Sequence, residues 1–175
     1  MMLPICVDLD GTLIHDDVTI IALKDFLRRN VFHIFPVIAW FCRGRAYLKH
    51  QLAQRVDLNA EQLNYNQEFL NYLREKKKEG HKLFLATACN RQYADAVADY
   101  LQIFDGVFAS DSRHNLRAEA KANALTLIFG EKGFIYAGNS KDDLKVWRKS
   151  AEYILVTPTA AALNGMRGKS YTLFN

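Results

Sequence analysis

Pro4-Ile5-Cys6-Val7-Asp8-Leu9-Asp10-Gly11-Thr12-Leu13 is a short apolar run that stops abruptly at two acids and a glycine. The run reads as a buried strand, and Gly11 as the point where the backbone turns tightly. In extended geometry residues two apart face the same way, so Asp8 and Asp10 would turn both carboxylates into one crevice beyond the strand end. Two acids this close repel one another, which is usually tolerated only with a cation or a shared proton. The pair suits phosphoryl chemistry. One carboxylate can attack phosphorus while the other protonates the departing oxygen and later activates water. Mg²⁺ would bridge and neutralise the mutually repelling carboxylate and phosphate. On spacing alone the same two acids also fit an acid-rich turn after a strand.

Outward from this point, short apolar runs alternate with longer helical patterns, which predicts an α/β protein with a mainly parallel sheet. Strands are expected at residues 3–8, 82–87, 107–109, 134–137, 153–156 and 171–174. Helices are expected at 17–29, from about 35, after Asn66 up to Gly80, and at 90–101, 118–129 and 142–150. Asp17 suits an N-cap, Pro36 a first helical turn, and Asn59 with Gln62 a capping box. About seventy residues separate the first two strands, against about twenty in the next step. A parallel crossover needs only a dozen or so. The excess, residues 30–67, reads as a small helical cap inserted into a single domain of residues 1–175, whose core is 1–29 and 68–175. Its place, beside the first strand's carboxyl end, is where open α/β sheets bind ligands.

Composition bounds the function less sharply. With 175 residues, half of them hydrophobic, the chain suits one domain with a substantial core. A net charge of +4 is a mild cationic field that fits an anionic substrate or membrane surface and makes no case for nucleic acid. Cys6, Cys42 and Cys89 form no Cys-x-x-Cys pair and read as buried thiols in a reducing cytosol. The first residues lack the basic and apolar segments of a secretory signal. The most apolar stretch, residues 31–42, is too short to cross a bilayer and contains His33 and Pro36. A cytoplasmic protein is expected, either free or peripheral at the inner face of the membrane.

The full Asp-x-Asp-Gly-Thr-Leu string after an apolar strand resembles the first motif of the haloacid dehalogenase (HAD) superfamily. That resemblance implies a three-layer, Rossmann-like fold with a parallel sheet. It implies Asp8 as the nucleophile of an aspartyl-phosphate and Asp10 as general acid/base, with the Asp10 backbone carbonyl helping to bind Mg²⁺. An acid at position 10 also favours a phosphatase over dehalogenase or P-type ATPase relatives. The other motifs follow in order. Thr87, ending Phe84-Leu85-Ala86-Thr87, matches the second, where a hydroxyl and nearby helix N–H groups hold phosphate oxygens. Asn90 and Arg91, at the same helix start, are further anion candidates, although a helix cap and a solvated charge are the plainer readings. Lys121 matches the third motif, compensating phosphoryl charge; Lys82 is a weaker candidate. Gly138-Asn139-Ser140-Lys141-Asp142-Asp143 matches the fourth, with Asn139 where many relatives carry a metal-binding Asp. An amide oxygen can still ligate but lacks the negative charge that holds a hard cation tightly. Asp143 would ligate the metal, directly or through water, or orient Lys121, and Asp142 reads as an N-terminal helix acid.

Three further stretches, Gly44-Arg45-Ala46-Tyr47-Leu48-Lys49, Asn64-Tyr65-Asn66-Gln67-Glu68 and Asp143-Leu144-Lys145-Val146-Trp147-Arg148, resemble the HAD-like domain preceding the membrane portion of bacterial UbiA-type polyprenyl transferases. Asn after the Gly is an accepted variant there. The resemblance implies a Mg²⁺-dependent phosphatase acting on a polyprenyl-linked or sugar phosphate, with a membrane surface or such a transferase as partner. Residues 31–42, rich in Phe and flanked by Arg28, Arg29, Arg43, Arg45 and Lys49, would then lie in the membrane interface, pack on the transferase, or line an entrance for a lipid-linked phosphate. A helix buried on its own domain is the plainer alternative. Two rival functions remain: a non-catalytic HAD-like docking module, and a soluble metabolite phosphatase of the phosphoserine phosphatase kind.

Overall fold

The structure, a computed structural model, describes residues 2–175. Strand β1 (Ile5–Val7) is shorter than expected but fully buried, and Asp8 follows it at once. The other strands are β2 (Leu83–Asn90), β3 (Gly106–Ser110), β4 (Ile135–Gly138), β5 (Glu152–Val156) and β6 (Thr172–Phe174). All pair in parallel, in the order β3-β2-β1-β4-β5-β6. The chain thus winds outward from β1 in one direction, then returns to its other side at β4. The connections diverge there, and a crevice opens at the carboxyl ends of β1 and β4.

Helices cover both faces: α1 (Val18–Arg29), α2 (Ile34–Cys42), α3 (Arg45–Ala53), α4 (Gln67–Lys78), α5 (Arg91–Leu101), α6 (Glu119–Phe129), α7 (Leu144–Trp147) and α8 (Ala160–Gly165). The period of two along β1 sorts the core into two halves. Ile5 and Val7 join a cluster with Leu83, Leu85, Phe69 and Leu73 on one face; Cys6 joins Phe134, Tyr136 and Trp147 on the other. The architecture is a three-layer α/β fold.

Several local expectations needed correction. β2 runs three residues beyond Thr87, because a register shift between Ala86 and Asn90 lets the strand keep pairing with β3. The helix expected at 142–150 is a 3₁₀ turn (Lys141–Asp143) followed by the single turn of α7. It stops early because Ala151 N–H must already bond Phe134 O to start the next strand pairing. Asn59 does cap, accepting from Glu61 N–H, but it caps only a 3₁₀ turn (Ala60–Gln62). Helix α8, capped by Thr159, went unseen because its six residues carry no periodic pattern. Cys42 is exposed, not buried.

The segment between α1 and α4 has no core of its own. Leu48, Leu52, Ala53, Val56 and Leu63 are buried in the same cluster as Ile5 and Val7. Each such leucine contributes about 2 kcal/mol by leaving water, so the inserted segment is tied to the sheet by the burial that holds the sheet itself.

Candidate active site

The turn after β1 is built around Leu9. Its side chain is buried, and its carbonyl accepts the N–H groups of Thr12, Leu13 and Ile14 at 3.2, 3.0 and 3.1 Å. Gly11 adopts φ +71°, and a Cβ there would lie 2.2 Å from the Asn139 amide nitrogen. Both the left-handed backbone and the close approach therefore require glycine. Asp8 N–H donates to Ala137 O at 2.9 Å, which ties Asp8 to β4. Asp10 Oδ1 accepts Val18 N–H at 2.8 Å, satisfying a donor that the first turn of α1 leaves free.

Beneath Asp8 lies a chain of buried polar groups. Lys121, in the first turn of α6, donates to Asp8 Oδ1 at 2.8 Å and to the Tyr136 hydroxyl oxygen at 2.9 Å. Tyr136 in turn donates to Asp143 Oδ1 at 2.7 Å, whereas Lys121 Nζ is 3.8 Å from the same oxygen. Asp143 Oδ2 accepts Asn139 N–H, Ser140 N–H and the Ser140 hydroxyl at 3.1, 2.9 and 2.9 Å. A Cβ on Gly138 would sit 2.6 Å from the Asp143 carboxyl carbon, so only glycine leaves that carboxylate its place. With both oxygens engaged, Asp143 is placed to hold Tyr136, Lys121 and the loop that carries Asn139.

Burial sets the charges. It pushes the Asp8 carboxyl up to about 6; Lys121 partly offsets this and Asp143 adds to it. It pushes Asp10 up to about 7, with Asp17 and Asp8 adding repulsion that the Val18 hydrogen bond only partly relieves. Burial works to lower the Lys121 ammonium, but Asp8 and Asp143 outweigh it and hold the group above its usual range, hence charged. Tyr136 is held well above its usual range by burial and by Asp143, and so keeps the proton it donates.

Asp8, Asp10, Lys121, Asn139 and Asp143 form one wall of a cavity of about 480 Å³; Phe41, Arg45, Leu48 and Lys49 from α2 and α3 form the other. Lys49 donates to Ala88 O at 2.7 Å. Arg117 pairs with Asp142 at 2.5 Å at the same cavity, so Asp142 is a partner of arginine as well as an acid of its turn. Thr87 lies just behind the lining residue Ala88; its hydroxyl oxygen accepts Cys89 N–H at 3.0 Å and keeps its own proton to give. Asn90 is outside the lining and caps α5, accepting Gln92 N–H at 3.0 Å. Sequence reasoning missed Tyr136, whose signal was a polar-tipped aromatic inside an otherwise apolar strand. It also overlooked Arg45 and Lys49 as cavity residues, although their spacing of four puts them on one helix face.

Among the described residues no three acidic, histidine or cysteine side chains gather into a ready metal cage. The groups at the cavity wall are nonetheless oxygen donors: Asp8, Asp10 and the amide of Asn139. Lys121 is bonded to Asp8 alone of these, and among the described residues no cation pairs with Asp10. That donor set fits a hard cation such as Mg²⁺, which keeps several waters and needs few protein ligands.

A family model described as haloacid dehalogenase-like hydrolase matches residues 5–148. Over 159 residues the chain is 35% identical to an uncharacterized protein, y4nM, of Sinorhizobium fredii. That match covers 88% of this chain and 30% of the relative, so the chain spans less than a third of the relative's length. Among solved structures, a protein of unknown function from Bordetella pertussis Tohama I superposes with a TM-score of 0.74 at 14% identity, covering 98% of this chain and 97% of that one. A substrate-bound phosphoserine phosphatase superposes with a TM-score of 0.65 at 13% identity, covering 99% and 93%. At such identities the two structures speak for the fold.

Proposed function

The chain belongs to the haloacid dehalogenase-like hydrolase family, and within it we propose a Mg²⁺-dependent phosphomonoester hydrolase working through an aspartyl-phosphate on Asp8. The observation that carries this reading is the Lys121 ammonium 2.8 Å from Asp8 Oδ1, inside a cavity that also presents Asp10. Lys121 leaves the other Asp8 oxygen free to attack, and supplies a fixed positive charge where phosphoryl oxygens would gather.

Asp8 forms a bond to phosphorus as the ester P–O bond breaks. Asp10, whose carboxyl burial pushes up to about 7, gives its proton to the departing oxygen. The Asp10 carboxylate then takes a proton from water as that water attacks the phosphorus. Inorganic phosphate leaves, Asp8 is restored, and Asp10 is reprotonated. Asp8, the Asp10 backbone carbonyl and Asn139 would hold Mg²⁺, which supplies positive charge against the repulsion between carboxylate and phosphate. Thr87 lies outside the cavity lining and supports the wall by accepting Cys89 N–H, and Asn90 keeps to its helix cap. The substrate would be a polyprenyl-linked or sugar phosphate. The stretches resembling UbiA-associated domains support this, as does the apolar lip made by Ile20, Phe41 and Leu48.

The test is hydrolysis of p-nitrophenyl phosphate with Mg²⁺. Asp8→Asn is expected to lower turnover by roughly 10⁴-fold or more, the usual scale for loss of a nucleophile. Asn139, in place of an acid, favours a second reading as a non-catalytic docking module. Absence of turnover across a phosphoester panel would put that reading first.

A further inference from the structure

Helix α2 is apolar on two sides, and only one of them meets the protein. On the inner side Val37 is buried, Trp40 packs 5.3 Å from the Phe26 ring, and the Arg55 guanidinium lies 4.8 Å over Trp40. His33 stacks on Phe26 at 4.2 Å and bonds its carbonyl through Nδ1 at 2.8 Å. The helix is therefore seated firmly. On the outer side Phe35, Ile38 and Phe41 are 67, 54 and 55% exposed, and Val31 and Phe32, in the 3₁₀ turn that leads into the helix, are 77 and 69% exposed. Positions 31, 35, 38 and 41 recur at helical spacing and share one face. An apolar face of this size marks a surface that meets something other than water.

Charge says what that something is. From residue 26 to residue 56 the chain contains no acid, but it carries Arg28, Arg29, Arg43, Arg45, Lys49 and Arg55. Among the described residues only Arg29 of these is salt-bridged, to Asp25. Arg28 and Arg29 precede the apolar face and Arg43 and Arg45 follow it, all four exposed, so cations flank it at both ends. A second copy of the chain would bring like charges together around the contact, which opposes self-association. The face is also a convex helix with projecting rings, not a groove for a peptide. No helix among the described residues is long and apolar enough to cross a membrane. Apolar residues on a short helix framed by arginines match an element that lies in the plane of an anionic bilayer, rings among the acyl chains and cations among the phosphates.

We propose that the outer face of α2, with Arg28, Arg29, Arg43 and Arg45, docks this protein on an anionic phospholipid surface. Phe41 belongs both to that face and to the cavity wall, so docking sets the cavity mouth beside the lipid. Docking does not depend on the hydrolase reading, because it is measured without turnover.

The experiment is co-flotation of the full chain with vesicles of phosphatidylcholine, with and without phosphatidylglycerol. Binding to the anionic vesicles is expected, to weaken severalfold between about 0.05 and 0.5 M salt as screening shortens the range of charge. Phe35→Ser/Ile38→Ser should bind at least tenfold more weakly, and Arg28→Gln/Arg43→Gln severalfold more weakly. Both double variants alter exposed side chains, so unchanged circular dichroism and unchanged hydrolysis of the soluble aryl phosphate would show an intact fold. Asp8→Asn should float like the wild type, so that failure of turnover with intact flotation would overturn only the hydrolase reading. Absence of wild-type flotation would overturn the docking proposal, as would equal flotation of Phe35→Ser/Ile38→Ser. So would a concentration-dependent dimer abolished by that variant, because a second copy would then cover the face.

Discussion

On the sheet side of the cavity the polar groups are cross-linked. Lys121 holds Asp8 and Tyr136, Tyr136 holds Asp143, and Asp143 also accepts three donors from Asn139 and Ser140. On the insertion side Arg45 has no acidic partner among the described residues, Lys49 spends its charge on one carbonyl, and Phe41 stands 55% exposed. The first wall is preorganised, so on the proposed reading its charges would need little rearrangement when a phosphate arrives. The second is a cationic and apolar lip whose side chains can settle around a bound group. The difference separates two tasks. The buried wall should govern the chemical step, and the exposed wall should govern what is admitted.

The largest expected effect belongs to the buried wall. Asp10→Asn keeps an acceptor for Val18 N–H but loses the transferable proton, and should lower kcat about 10²- to 10⁴-fold. The same change should stabilise the protein in EDTA at alkaline pH. Folding raises the Asp10 pKa from an ordinary carboxylate value to about 7. Below that pH the folded state therefore holds a proton that the unfolded state does not take up until about pH 4. Wild-type stability in EDTA should accordingly rise as pH falls from about 8 to about 5, and part of that rise should vanish in Asp10→Asn, as read by Tm against pH. A flat difference between the two proteins across that range would show that Asp10 carries no burial cost.

Tyr136→Phe removes the hydroxyl between Lys121 and Asp143 without changing the packing volume. Losing a hydrogen bond to charged groups should reduce kcat about 10- to 100-fold while KM changes little. A change confined to KM would break the division of labour between the walls. Asn139→Asp adds a negative charge to the oxygen donors and should lower the Mg²⁺ needed for half-activation by about tenfold. Titration of activity with Mg²⁺ reads this directly, and an unchanged requirement would show that position 139 does not limit the metal. Arg45→Ala, on the exposed wall, should raise KM for an anionic substrate only a few-fold and leave kcat alone, because an exposed cation is weakened by solvent screening.

Most of the sheet wall was legible before any coordinates. Asp8 is marked by an apolar run that ends in acid, Lys121 and Asp143 by their order in the chain, and Gly11 by the turn that must follow a strand. Tyr136 was not legible in its role. Within Phe134-Ile135-Tyr136-Ala137 it looks like one more strand aromatic, and only the folded chain brings the Lys121 ammonium from α6 and the Asp143 carboxylate from the turn after β4 to its hydroxyl. Thr87 and Asn90 part company: Asn90 takes the helix cap that its place in the sequence already allowed, whereas Thr87, expected at the phosphate, is buried outside the cavity lining.

The long connection between β1 and β2 is visible as an excess of residues, because the spacing of strands limits how long a crossover needs to be. Its layout is not. The spacing of Val31, Phe35, Ile38 and Phe41 allows either burial or exposure, and the alternation of apolar residues on both sides of a short helix cannot say which side meets the core. Only the seating of Trp40 on Phe26 resolves that choice, because a helix has one inner face once a neighbour is fixed. By itself, then, the sequence determined the parallel α/β plan and the pair of acids at its centre, since strand period and turn chemistry are local. Tertiary structure decided which groups share hydrogen bonds, which lie behind the wall and which face outward, because distances between residues far apart in the chain are set only when the layers pack.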